Sequence, residues 1–336
     1  MSPRRARPAG SARPAVAQPY VAGGARPVAW AGARRLLATA DTYWLATVRP
    51  EGRPHLVPVL AVGVDGALHF VAGPTTRKGR NLARDPCCVI AARGGSLDLV
   101  VEGKAARVTQ GARLRRVAGA YGAKYRWPVA VRDGALYGEG APTAGPAPYY
   151  VYEIVPTVAF GFPTEGVLAP ARWRFPRGRQ RVALWRRTMG VATRSVPHDR
   201  PDADRTTDRL PDAVRTLFDG PNYAHVATTL PDGAPHSVPV WVGVEGEQIA
   251  FLTGPDSRKA HNLERDPRVA ISIVAHDRPF AMAYVRGRVV ARLEGAAALG
   301  VMDRIAYKYT GQSYPLRTGR VVFLVSPERA WARTYG

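Results

Sequence analysis

The sequence is short of cysteine. Its 336 residues include two, Cys87 and Cys88, and they are neighbours. Adjacent cysteines rarely pair with each other, which excludes a disulfide framework and leads us to expect a reducing, cytoplasmic setting. Long apolar runs are missing as well. No stretch approaches the roughly 18 residues that a membrane span needs, so no membrane partner is expected. Residues 1–28 are rich in Ala, Pro and Arg and lack the apolar segment of a secretory signal, and they read as a disordered basic tail. Also absent are a nucleophile elbow, a cluster of metal-ligand residues and a pair of carboxylates at a useful catalytic spacing. No metal site is expected, and the catalytic residues stay unknown.

What is present is a repeat. Ala46-Thr47 followed by Pro50-Glu51-Gly52 and Pro54-His55 returns as Ala227-Thr228, Pro231-Asp232-Gly233 and Pro235-His236, and the register holds without a gap through Arg84-Asp85-Pro86 and Arg265-Asp266-Pro267. A period of this length is too long for a solenoid unit and marks a duplicated domain, whose copies can pack as a built-in dimer. The divisions expected are the tail at 1–28, a first domain at 29–175, an Arg-rich connector at 176–206 and a second domain at 207–336. Each half reads as short strands joined by turns with Gly after an acid, an antiparallel meander. Strands are expected at 43–48, 55–64 and 67–72, with twins at 223–229, 236–244 and 248–253. Helices are expected at 75–84 and 111–125, with twins at 256–265 and 295–309, and Thr75 or Asp256 is placed to cap the first of each. Many short strands with few helices point to a small barrel.

The formal charge is +22, from 48 basic and 26 acidic residues. Residues 1–35 and 171–200 together carry +15 of it, so the excess lies mostly outside the repeated cores. Such runs hold polyanions without choosing a sequence. A bias to Arg accounts for them equally, because 43 of the 48 cations are arginine, and nucleic acid is not expected as a partner. Against that bias the five lysines stand out. Lys78 matches Lys259 and Lys124 matches Lys308, so these positions are expected to need a compact ammonium and not a guanidinium fork.

The strongest chemical signal follows the third strand of each half: Thr76-Arg77-Lys78 and Ser257-Arg258-Lys259. A hydroxyl, an Arg and a Lys at a helix start, where backbone N–H groups and the dipole favour anions, make a compact phosphate cradle. The run Ser257-Arg258-Lys259-Ala260-His261-Asn262-Leu263, followed by Arg265-Asp266-Pro267, resembles the flavin-phosphate stretch of pyridoxamine 5′-phosphate oxidase. More broadly, residues 36–175 and 207–336 are similar to the flavin- and deazaflavin-binding split-barrel superfamily.

The resemblance implies a mainly β chain of two tandem FMN-binding-type split β-barrels with short helices, packed as an intrachain pseudo-dimer. It implies a cofactor, FMN or a deazaflavin coenzyme of the F-420 type, held where the barrels meet. By position, Ser257, Arg258 and Lys259 would hold its phosphate, with Thr76, Arg77 and Lys78 as counterparts. His55, Val57 and Pro58, or His236, Ser237, Val238 and Pro239, would lie along the ring, and Trp173, Trp241 or Trp331 would wall it. The activity implied is hydride transfer between that cofactor and a small organic substrate, by a monomeric pseudo-dimer or a homodimer. The alternatives are a non-catalytic flavin- or haem-binding module and a basic nucleic-acid binder. Tyr125 and Tyr309 follow the matched lysines and are expected to pack at the barrel.

Overall fold

The computed structural model describes residues 17–19, 26–94, 96–139, 146–164, 168–176, 209–278 and 280–334. Most of the Arg-rich connector and most of the basic tail lie outside these residues.

The first half runs β1 (Ala17–Pro19), α1 (Trp30–Thr39), β2 (Tyr43–Val48), β3 (Pro54–Val59), β4 (Ala61–Val64), β5 (Ala67–Ala72), α2 (Arg77–Arg84), β6 (Cys87–Gly94) and β7 (Leu97–Val108). It continues with α3 (Gly111–Tyr125), β8 (Ala130–Arg132), β9 (Ala135–Tyr137), β10 (Tyr150–Pro163) and β11 (Ala171–Arg174). The second half runs α4 (Asp212–Asp219), β12 (Ala224–Thr229), β13 (Pro235–Val240), β14 (Val242–Glu245), β15 (Gln248–Thr253), α5 (Arg258–Arg265), β16 (Arg268–Val274), β17 (Ala281–Leu293), α6 (Gly295–Thr310) and β18 (Val321–Thr334).

Both sheets are antiparallel and follow one path. In the second half the order is β13-β12-β16-β17-β18-β15-β14, and in the first β3-β2-β6-β7-β10-β5-β4. One strand was expected over 55–64, but the chain breaks at Leu60. Its first part pairs back with β2 and its second forward with β5. The two ends of the sheet path are therefore covalent neighbours, and this bend closes each barrel. Turn chemistry sets the register. Gly52 and Gly233 sit at φ 80° and 83° in the β2–β3 and β12–β13 turns, where a left-handed residue is required. Asp65 and Gly66 both have positive φ, the two-residue hairpin turn that matches strand twist.

Strand β10 is long enough to serve three neighbours, β7, β5 and β11, and β18 serves two, β17 and β15. The last part of β10 also pairs with β11, while its start pairs with β5. At the crossing, Gly103 and Gly287 are obligatory. A Cβ on Gly103 would lie 2.3 Å from the Val155 carbonyl oxygen, and one on Gly287 2.2 Å from that of Ser326. Each barrel fills with its own core, Tyr43, Leu45, Phe70, Ile90 and Leu99 in the first, Val226, Phe251, Ile271, Ala283 and Phe323 in the second.

Two helices lie beyond the sequence-based expectations. They are α1, burying Ala33 and Leu36, and α4, burying Val214, Leu217 and Phe218. Their ends explain the matched lysines. Lys124 Nζ donates to the carbonyls of Ala40 at 2.5 Å and Ala61 at 3.1 Å and to the Tyr43 hydroxyl at 3.0 Å. Lys308 Nζ donates to the carbonyls of Phe218 and Val242. An ammonium ties a helix end to the sheet in each half, and burial holds both lysines down to about 8. Tyr125 and Tyr309 fasten the same corners: each hydroxyl accepts from a strand N–H, that of Ala61 or Val242, and donates to a carbonyl, that of Ala61 or Asn222.

The tail corrects one expectation. Residues 17–19 form β1, paired with β11, Pro27 bridges Ala169 and Val28 is buried in the first core. An edge strand whose backbone groups would otherwise go unpaired recruits this short segment.

The barrels meet across the faces of β2, β3, β6, β12, β13 and β16, with Trp44, Leu56 and Val89 of one half against Ala270, Met282 and Tyr284 of the other. The contact is reciprocal: β3 lies against β16 and β13 against β6. Trp44 and His225, at equivalent positions of the repeat, stack on each other at 4.3 Å and 23°. Only a point near a two-fold axis brings equivalent residues together, so the seam is the isologous interface of a dimer made within one chain.

Candidate functional site

Each half carries the same three-residue relay at one end of its barrel. Asn81 on α2 donates to Thr47 Oγ1 at 3.0 Å, and Thr47 Oγ1 lies 3.3 Å from His55 Nδ1. In the second half Asn262 donates to Thr228 at 2.9 Å and Thr228 lies 3.4 Å from His236 Nδ1. The asparagine donates to the threonine oxygen, and the threonine shares a second hydrogen bond with Nδ1 whose direction follows the imidazole tautomer. Both rings are held neutral. Burial pushes His55 well below the usual imidazole range, reinforced by Arg49, Lys78, Arg77 and Arg286. Burial, then Lys259 and Arg258, push His236 down to about 3. A neutral ring carries one proton on one of its two nitrogens, and in each relay Nδ1 is held by the threonine.

Beside each histidine stands the helix start. The caps are Thr76 and Ser257, one residue later than Thr75 and Asp256, because their oxygens accept from the N–H groups of Gly79 at 3.1 Å and Ala260 at 3.3 Å. This alters the part expected of Thr76. Its hydroxyl also donates to the Gly73 carbonyl at 2.7 Å, so its proton is committed to the turn and not to a ligand. Ser257 instead receives a bond from the Thr253 hydroxyl at 2.9 Å, which leaves its own proton to donate. Lys78 is buried at 4 % exposure and Lys259 is partly buried, and burial lowers both to about 8, with Arg320 adding to the effect at Lys259. Arg77 is half-buried and Arg258 exposed.

The strand residues expected along a ring do not share one surface. Side chains alternate across a strand. His55 and Val57 point to the barrel side with Thr47 and Leu45, as His236 and Val238 do with Thr228 and Val226. Pro58 pairs with Trp44, Ser237 with Ala227 and Pro239 with His225, on the face turned to the seam. Ser237 is buried there and its hydroxyl oxygen has no hydrogen-bond partner.

Trp173 is not part of the site. It has no exposed surface, sits in the first core and packs against Trp30 at 5.3 Å, over Gly161. The sequence put a tryptophan near the closing strand, and the tertiary structure turns it inward. Trp241 stacks on Tyr309 at 4.9 Å, beside α6. Trp331 does lie in the seam, stacked on Tyr284 at 5.1 Å.

Across the seam, each cradle meets the other barrel. Arg286 on β17 acts electrostatically on Arg77 and His55, and burial lowers its own pKa. It lies beside a bidentate pair, Arg53 with Glu328 at 2.5 and 3.2 Å, and 3.9 Å from the same carboxylate. Its Nε is buried without a hydrogen-bond partner. At the equivalent place beside α5 stands Glu102 on β7, which burial raises and Arg258 pulls back. The asparagine–threonine relay and these seam charges were missed in the sequence. The relay was readable as Thr47, His55 and Asn81 recurring at Thr228, His236 and Asn262. The seam charges show only as positions where the repeats disagree.

The pyridoxamine 5′-phosphate oxidase family model matches the sequence twice, over residues 30–154 and 210–334, well over half of the chain. The chain belongs to the pyridoxamine 5′-phosphate oxidase family. Both matches fall on the two barrels, so this is a tandem member. Among solved structures, an F420 Reductase is 26% identical, the match covering 36% of this chain and 98% of that one with a TM-score of 0.33. A conserved hypothetical protein from Mycobacterium tuberculosis is 23% identical, covering 39% of this chain and 89% of that one at a TM-score of 0.34. General Stress Protein 26 from Bacillus anthracis is 17% identical, covering 36% and 92% at 0.30. No curated protein matches the sequence. Among the described residues no group of His, Cys, Asp and Glu could hold a metal ion, and no helix is long and apolar enough to cross a membrane.

Proposed function

We propose that this family member is an oxidoreductase that holds a phosphorylated flavin-type cofactor, FMN or a deazaflavin coenzyme of the F-420 type, and passes hydride between it and a small organic substrate. The observation that carries this reading is the pairing, twice over, of an Arg-Lys helix start with a histidine held neutral by burial and anchored by a threonine. A phosphate asks for such a set: cations that fork or point at its oxygens and helix N–H groups. The residues fit the group. Arg77, Lys78 and His55, or Arg258, Lys259, Ser257 and His236, would take the charged end. Trp331 and Pro239, each partly exposed, offer flat apolar surface at the seam for a ring, with Tyr284 buried in a stack against Trp331. Bound there, the ring would supply the hydride chemistry itself, and the protein's part is binding, orientation and exclusion of water.

Titration of the purified chain with FMN and with the deazaflavin coenzyme tests this, followed by optical spectra and by reduction of the bound ring. We expect one of the two to bind and to exchange hydride with an added small-molecule acceptor. Failure of both to bind would remove the reading. A Soret band on adding haem would replace it with the storage or sensing role, and ring binding without turnover would leave a non-catalytic flavin module.

A further inference from the structure

We propose that the two cradles are inequivalent, and that the chain takes one polyanionic ligand, in the first-half cradle between α2 and β17, because Arg286 faces it where Glu102 faces the other. This rests on the reading of the cradles as holders of a phosphorylated group.

The argument is the charge at equivalent positions. Arg286 and Glu102 occupy the same place in the repeat, each just before the glycine at the strand crossing, Gly287 and Gly103. The groups acting electrostatically around His55 and Arg286 are Arg49, Arg53, Arg77 and Lys78, with the carboxylates Glu51 and Glu328. Counting Arg286, five cations face two carboxylates. Around the second cradle, the repeat puts Leu230 where Arg49 stands and Ala234 where Arg53 stands. The groups there are Arg258, Lys259 and Arg320, with Glu102 and Asp232. Three cations face two carboxylates, and Glu102 acts directly on Arg258.

A buried carboxylate in a phosphate site repels the ligand and is itself desolvated by it. A buried guanidinium gains a partner. Arg286 Nε makes no hydrogen bond, since the nearest carboxylate oxygen, on Glu328, stands 3.9 Å away, and a ligand's anionic oxygen at hydrogen-bond distance would complete it.

Isothermal titration with inorganic pyrophosphate, FMN and the deazaflavin coenzyme, on the full chain, tests the inequivalence. We expect one equivalent per chain for whichever probes bind. Arg286→Glu should weaken binding at least tenfold, and Arg258→Ala less than threefold. Glu102→Arg should add a second equivalent, a gain that misfolding cannot produce, and circular dichroism checks the loss variant. Two equal equivalents in the unaltered chain would overturn the proposal, as would a larger loss from Arg258→Ala than from Arg286→Glu. Absence of binding by all three probes would overturn it together with the functional reading. The two separate in the other outcomes. Pyrophosphate binding that depends on Arg286, with neither ring bound, upholds the inequivalence and removes the flavin reading, whereas two equal sites for a ring do the reverse.

Discussion

The two halves share a sheet order, a relay and a helix start, yet differ where they touch each other. The first half closes with β11 and receives β1 along its edge, and the second ends on β18 with no such strand among the described residues. Trp44 faces His225, Arg53 with Glu328 answers Ala234 with Thr157, and Arg286 answers Glu102. Fusion explains why such differences can persist. In a homodimer one substitution alters both grooves at once, whereas in a fused pair each groove is built from its own positions.

Removing Trp173 should break the comparison most. Trp173→Ala deletes the largest side chain of the first core and has no counterpart in the second, so it should cost about 3–5 kcal/mol, the range for a large-to-small core change. Calorimetry should show the transition of the first half moving down ahead of that of the second. Unchanged stability with lost cofactor affinity would restore Trp173 as a wall of the site.

Acid should act on the seam at His225 and not at its equivalent, Trp44. Burial, then Arg93, press His225 down to about 3, so the folded chain keeps this ring neutral where the unfolded chain takes a proton near 6.5. The unfolded state then binds more protons, and stability falls as the pH drops below about 6.5 towards 3. At pH 4.5 the loss from His225 is about 2–3 kcal/mol, at roughly 1.4 kcal/mol per pH unit. His225→Phe should flatten that part of the urea midpoint against pH curve. An unaltered curve would mean that the seam opens to water around His225 before the protein unfolds.

The lysine ties sharpen the likeness instead. Lys124→Ala and Lys308→Ala should each cost about 2 kcal/mol in urea unfolding, since each leaves buried carbonyls without their charged donor. Replacement by Arg should not restore stability, because a planar fork cannot reach carbonyls grouped around one point. Rescue by Arg would make the lysines incidental.

The smallest effect expected is in the relays. Asn81→Ala and Asn262→Ala should each cost about 1 kcal/mol. The nitrogen-15 spectrum offers the sharper measure: Thr47→Val should shift the tautomer balance of His55 while leaving that of His236 unchanged. A histidine spectrum insensitive to Thr47→Val would remove the relay.

Much of this was legible in the residues. Ala46 to Pro86 and Ala227 to Pro267 gave the duplication, the acidic-Gly turns gave the hairpins, and Thr76-Arg77-Lys78 with Ser257-Arg258-Lys259 marked the two matched helix starts. The likeness to the flavin-phosphate stretch, however, favoured the second half through Ser257-Arg258-Lys259-Ala260-His261, while the charge around each cradle favours the first. Motif resemblance reads one strand and one helix. The field at a cradle also depends on Arg286 or Glu102, some 200 or 150 residues away along the sequence.

Local pattern by itself determined what repeats: strand periodicity, glycine at turns that need positive φ, hydroxyls at helix starts, a lysine in the last turn of each long helix. Those depend on forces acting over a few residues, so the sequence displays them. Only the folded chain decided that Trp173 turns into the core, that Pro58 and His55 face opposite ways, and that an arginine looks into one cradle and a glutamate into the other. Packing and electrostatics act between whatever the fold brings within a few ångströms, and no neighbour in the sequence records which residues those are.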